Sequence, residues 1–307
     1  TTHPRAVARL LSSLDLAHTL VVAASKSGAT VETLAHLDLL YAEIGRGEQF
    51  VAITDPGTPL EALARRRRFR AVFLNPPDVG GRYSALSLFG LVPAALIGAD
   101  LDELLEAGAE MAAACQACVP GDRNPGLWLG AVVGEGARGG WDKLTTVLPE
   151  AIAHLGPWIE QLVAESTGKL ATGVVPVVDE EPGPPEVYGP DRLFALGDDP
   201  GGPAEPAATG CPVARFGQPE TELLGGEIVR WEVAIAIAGH VLGVNPFDEP
   251  NVTEAKDATR QILQRLGGDP VRRAEDLDPV RDLEDPAELL GELEAGDYVG
   301  LQAFVDP

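Results

Sequence analysis

Positive charge is scarce in this chain of 307 residues, where 23 lysines and arginines face 47 aspartates and glutamates, for a net charge of −24. That balance excludes nucleic acid and an anionic membrane surface as natural partners, because both would be repelled. Within the basic set lysine is rarer still: Lys26, Lys143, Lys169 and Lys256 are the only four. Arginine serves wherever a generic cation suffices, and a compact ammonium differs from a planar guanidinium in reach and hydration. The four lysines are therefore worth locating first. Cysteine is also sparse, and three residues, an odd number, form no disulfide framework. Long apolar runs are missing: no segment reaches the roughly 18 residues of a membrane span. The start, Thr1-Thr2-His3-Pro4-Arg5, lacks a charged leader followed by an apolar core. A cytoplasmic protein is expected. What the chain has in quantity is apolar residues, 45%, with 23% charged, which is a globular balance.

Short apolar runs alternate with helical patterns. Residues 19–24, 50–54 and 71–74 each end in a polar or Pro/Gly turn, and a helix is expected over 30–44. This is the pattern of a parallel α/β sheet buried on both faces, with ligands collecting at the carboxyl ends of its strands. Helices over 84–97 and 101–118 close the first unit, and Pro120-Gly121 and Pro125-Gly126 mark a boundary. A second alternation follows, with helices near 126–138 and 155–165 and strands at 143–148 and 174–178. Residues 180–210 read as a long Pro/Gly/acid-rich loop holding one short apolar run at 193–196. A helix over 227–242, a further one to about 266 and an acidic tail complete the chain.

Four polar motifs stand out. Ser25-Lys26-Ser27-Gly28-Ala29-Thr30 lies between a strand and a helix. Hydroxyls, a lysine and free N–H groups at a helix start make an anion site, preferably for phosphate. Plain capping by Ser27 or Thr30 is the simpler alternative. Gly80-Gly81-Arg82-Tyr83-Ser84 opens a helix with Ser84 as its cap, and its glycines let backbone crowd a ligand. Glu165-Ser166-Thr167-Gly168-Lys169 ends a helix at Gly168. Glu165 and Lys169, four apart, suit a surface ion pair, or Glu165 serves as a general base. The fourth motif, Phe247-Asp248-Glu249-Pro250-Asn251-Val252-Thr253-Glu254-Ala255-Lys256, starts a helix.

In this order the motifs resemble phosphoglucose isomerase. Residues 74–84 look like that family's first signature and residues 247–256 like its second. The similarity is closest to the isomerase half of bacterial transaldolase–phosphoglucose isomerase fusions. The resemblance implies an α/β fold of two sugar-isomerase (SIS-type) parallel-sheet subdomains with helices on both faces. These would span 1–120, incomplete at its N-terminus, and 121–266, with an acidic extension over 267–307. It implies interconversion of glucose 6-phosphate and fructose 6-phosphate without metal or cofactor. Ser25, Ser27 and Thr30 would hold the substrate's phosphate, with Lys26 beside them, and Gly80 and Gly81 would lie near the sugar. Glu165 would be the base, Arg82 would stabilise the enediolate, and Lys256 would contact sugar oxygens. Lys169 would position the loop after Glu165.

Several positions depart from the family pattern. Ala29 replaces a residue that is often Thr or Gly, Thr253 stands where Glu is usual, and Glu249 where Gln is usual. A Gly-Gly-Ser type loop upstream and a Gly-Gln-His-like motif are missing, so the chain is expected to be truncated at both ends. His3, His18, His36, His154 and His240 read as structural. A non-catalytic sugar-phosphate-binding module is the alternative function. A homodimer and a fused transaldolase domain are both compatible with the resemblance. Cys115-Gln116-Ala117-Cys118 lacks a second ligand pair for zinc. The arginine run 65–68 reads as a solvated helix end.

Overall fold

The computed structural model describes residues 3–169, 171–180, 183–197, 210–216 and 224–248, and the single positions 258, 261 and 291. Asp15–Glu249 form one compact unit, and residues 1–14 belong with the C-terminal segment in another. Of the latter, helix α1 (Pro4–Ser13) is described, with Pro at its first turn, where a missing N–H costs nothing.

The larger unit holds two parallel sheets. In the first, β1 (Val21–Ala24), β2 (Phe50–Thr54) and β3 (Ala71–Leu74) lie in the order β1-β2-β3. Every residue of the central strand Phe-Val-Ala-Ile-Thr is buried, as a strand covered on both faces requires. Helices α2 (Val31–Ile44) and α3 (Pro59–Arg66) make the crossovers. Tyr41, Phe50 and Phe69 stack into one aromatic cluster, with Phe50 and Phe69 centroids 5.2 Å apart. Arg65 pairs with Glu61, while Arg67 pairs with Asp38 and lies 4.2 Å over the Tyr41 ring. The arginine run is thus a helix end held by carboxylates and an aromatic face.

Helices α4 (Leu88–Leu96) and α5 (Leu101–Ala114) lead to α6 (Pro125–Arg138). The second sheet then assembles from β4 (Lys143–Val147), β5 (Val175–Val177), β6 (Arg192–Gly197) and β7 (Val213–Phe216), all parallel in the order β5-β4-β6-β7. Helix α7 (Gly156–Thr167) connects β4 to β5, and α8 (Leu224–Leu242) follows β7. The core beneath it includes Leu129, Leu144, Ile159, Leu193, Ile235 and the fully buried Trp231, whose indole meets Phe216 edge-on at 5.6 Å.

Three local expectations are corrected. The run at 193–196 is not part of a loop but the buried middle of β6; flanking Pro, Gly and acid hide so short a strand in the sequence. Ser84 does not start a helix: its hydroxyl donates to the Gly81 carbonyl at 2.6 Å, and Ser87 caps α4 instead. The helix expected over 101–118 stops at Ala114. The expected helix after residue 248 and the acidic tail lie outside the described residues.

Glycines let α6 and α8 approach closely. Gly126, Gly130 and Gly134 recur every fourth residue on α6 and face α8, where a Cβ on Gly130 would stand 2.3 Å from the Ala234 carbonyl oxygen. Gly130→Ala gains helix propensity of roughly 1 kcal/mol but meets backbone that cannot rotate away. The clash should win, giving a net loss of about 2 kcal/mol in a denaturant melt. A variant as stable as the parent would show that these glycines do not set the spacing.

Candidate active site

The carboxyl ends of β1, β2 and β3 carry the first cluster. After Ala24 the chain turns through residues 25–30 with Gly28 at φ +61°, in the left-handed region that glycine tolerates. A Cβ there would also lie 2.6 Å from Thr58 Cβ, so the loop sits directly on the start of α3. Ser25 Oγ and Thr30 Oγ1 share a hydrogen bond of 2.8 Å. Thr30 occupies the N-cap position of α2 yet makes no capping bond, and Ser27 Oγ accepts from Ala29 N, ahead of the helix. The capping alternative is therefore not realised, and the first turn of α2 keeps its N–H groups uncapped by these side chains. Lys26 reaches across all three strand ends: Nζ donates to Asp55 Oδ2 at 2.5 Å, after β2, and to the Pro77 carbonyl at 2.8 Å, after β3.

The second cluster centres on Arg82, in a tight turn over Gly81–Tyr83. Its guanidinium is buried, with 4% exposure. Nε donates to Ser166 Oγ at 3.1 Å, Nη1 to Glu165 Oε2 at 3.1 Å, and Nη2 to the carbonyls of Pro246 and Asp248 at 3.0 Å each. Glu165 stands in the last turns of α7, its side chain 34% exposed, and also accepts from Gln161 Nε2. One carboxylate is thus fixed by a buried cation while still facing solvent.

The loop 245–248 is held here from several sides. Gly243 takes φ +75° beyond α8, and Val244 N returns to the Gly239 carbonyl at 2.9 Å, a left-handed helix stop. Pro246 folds against Gly239, where a Cβ would approach it to 2.9 Å. Lys169 Nζ donates to the Asn245 carbonyl, to the Asp248 carbonyl at 2.8 Å and to Asp248 Oδ1 at 2.5 Å. The expected Glu165–Lys169 ion pair is not what forms. The chain leaves α7 at Gly168, with φ −72° and ψ 79°, and Lys169 pairs with Asp248. Tyr83 OH donates to Ser166 Oγ at 3.3 Å, its ring meets Phe247 at 5.1 Å, and burial raises its hydroxyl pKa.

The structure therefore joins Arg82 to Glu165, and joins Ser25, Lys26 and Thr30 through the first sheet. Pro77 and Arg82 are five residues apart, which limits their Cα separation to about 18 Å. Gly80 and Gly81 have no positive φ, and a Cβ on Gly81 would meet nothing within 4 Å. The space beside Gly81 is open, and a Cβ on Gly80 would touch Tyr83 at 3.7 Å. Ser27 is exposed beside the loop, and Lys256 lies outside the described residues. Sequence reasoning gave no role to Ser166, to Asp55 or to Trp158, whose Nε1 donates to the Arg82 carbonyl at 3.2 Å. It also passed over Glu232, whose carboxyl burial pushes up to about 7. Ser166 stands inside the motif at 165–169, so position alone could have flagged it; Trp158 and Glu232 carry no local signal.

Comparison with known proteins decides the family. Residues 2–190 match the model described as phosphoglucose isomerase. The chain belongs to the phosphoglucose isomerase family. A glucose-6-phosphate isomerase of Carboxydothermus hydrogenoformans is 29% identical over 325 residues, covering 86% of this chain and 69% of the relative. One from Thermus thermophilus is 39% identical over 208 residues, covering 63% of this chain and 48% of its own length. A third, from Symbiobacterium thermophilum, is 31% identical, with 89% and 72% covered. Among solved structures, a hypothetical protein from Thermus thermophilus superposes with a TM-score of 0.74 at 30% identity, over 86% of this chain and 76% of that one. A glucose-6-phosphate isomerase from Chlamydia trachomatis shares the fold, with a TM-score of 0.70 at 21% identity over 87% of this chain and 63% of that one. This chain thus spans about half to three quarters of the length of these relatives.

Proposed function

We propose that the chain interconverts glucose 6-phosphate and fructose 6-phosphate, with Glu165 moving a proton between carbons 1 and 2. The observation that carries this reading is the 3.1 Å contact between a part-exposed Glu165 carboxylate and the buried Arg82 guanidinium. In the open-chain aldose, Glu165 takes the proton from C2 and the electron pair forms the C1–C2 double bond of an enediolate. The guanidinium stabilises the negative charge that collects on the oxygens. Return of the proton to C1, with transfer of the hydroxyl proton between O2 and O1, gives the ketose. The two carbons exchange oxidation level internally, so the balance calls for no redox partner.

Ser25, Ser27 and Thr30, with the first turn of α2, would hold the phosphate, and Lys26 would offset its charge in a chain that otherwise repels anions. Gly80 and Gly81 would leave room for the sugar, and Lys256 would contact its oxygens. Lys169 acts on the loop 245–248 rather than on the substrate. The same reading assigns the two sheets to sugar-isomerase-type subdomains of 1–120 and 121–266, with an acidic extension from 267. It places the protein in the cytoplasm, as a homodimer or joined to a transaldolase domain.

A coupled assay following glucose 6-phosphate formed from fructose 6-phosphate tests the proposal, alongside calorimetry with 6-phosphogluconate. Turnover with saturable binding is expected. Binding without turnover would instead make the chain a non-catalytic sugar-phosphate-binding module.

A further inference from the structure

A cavity of about 340 Å³ opens where the edge strand β7 ends and α6 begins, and no residue of the four motifs is among its described lining. Its walls include Asp122, Arg123, Trp128, Arg215, Phe216 and Arg230. Among the described lining residues, three arginines meet one aspartate, the reverse of the chain's overall balance of 23 basic to 47 acidic residues. Arg230 is 9% exposed, and its Nε has no hydrogen-bond partner. A buried guanidinium N–H without an acceptor is unfavourable, and an incoming anion would remove that cost. Nη2 of Arg230 does lie 3.2 Å from Glu227 Oε1, and its guanidinium stands 5.7 Å from the Phe216 ring centroid. Glu227 is itself buried; burial raises its pKa while the Arg230 charge lowers it. Arg123 is exposed and makes no ion pair among the described residues. The start of α6 contributes little, because Asn124 Oδ1 already accepts from Leu127 N and Pro125 has no N–H. The arginines carry the site.

We propose that this cavity binds a phosphate-bearing small molecule, with the arginines on the phosphate and the exposed Trp128 indole offered to the remainder. Guanidinium forks match phosphate oxygens in pairs. The volume falls in the range of small-molecule sites, roughly 300–1,000 Å³. This site draws on none of the residues assigned to the isomerase reaction and stands whether or not that reaction occurs.

Calorimetry of the whole chain with inorganic phosphate and with adenosine 5′-monophosphate tests it. Thr30→Asp is included to close the phosphate loop of the first sheet to anions. Saturable binding should survive Thr30→Asp and weaken at least tenfold in Arg123→Glu, an exposed change that should leave isomerase turnover as it is. Arg230→Met, with its melting temperature monitored, should abolish binding. A nucleotide held at least tenfold more tightly than phosphate would place the base on the Trp128 indole; equal affinities would assign the site to the phosphate group alone. Binding unchanged in Arg123→Glu, or lost in Thr30→Asp alone, would overturn the proposal, as would no saturable binding of either probe.

Discussion

Glu165→Gln should lower the turnover of fructose 6-phosphate by about 100- to 10,000-fold, the usual range for a lost general base. The amide has the shape of the carboxylate, and its oxygen can still accept from Arg82 Nη1, which now donates at 3.1 Å. Folding and 6-phosphogluconate binding should therefore stay close to the parent's, and the loss should appear in kcat rather than KM. Melting temperature and calorimetry check the first two quantities and steady-state kinetics the third. A variant turning over at the parent rate would remove Glu165 from the mechanism.

Arg82→Lys should do damage of two kinds. A lysine keeps the charge but cannot reach Ser166, Glu165, Pro246 and Asp248 together, as the guanidinium does. Turnover should fall on the order of 100- to 1,000-fold, as when a donor to a developing oxyanion is lost. Carbonyls left without a donor should also cost stability, about 2 kcal/mol in a denaturant melt. The two losses are separable, because Glu165→Gln should show the first without the second. Full activity in Arg82→Lys would mean that any cation suffices and that the fork geometry is irrelevant.

Much of this arrangement is legible in the chain itself. The strands at 21–24, 50–54 and 71–74 declare themselves as short apolar runs that end in polar or turn residues, as parallel strands do. The short strands β6 and β7 do not, because Pro, Gly and acid crowd their ends. The motifs mark Arg82 and Glu165 as residues of interest, but 83 residues separate them, and only the fold reveals that they touch. Lys169 shows the opposite case. Its spacing from Glu165 suits a helical pair, yet the helix ends two residues before it, at Thr167, and the ammonium turns to Asp248. Local periodicity cannot foresee a partner brought in by a loop nearly 80 positions away. Glu232 escapes notice for the same reason: a glutamate in an apolar helix has no sequence mark of the burial that raises its pKa to about 7.

The most direct test of the central claim is isotopic. Glu165 is part-exposed, so once it has taken the substrate proton its carboxyl can exchange with solvent. Fructose 6-phosphate converted by the chain in deuterium oxide should yield glucose 6-phosphate carrying deuterium at carbon 2, seen by proton NMR, with incorporation largely lost in Glu165→Gln. Product free of deuterium, or equal labelling by parent and variant, would contradict proton transfer through Glu165.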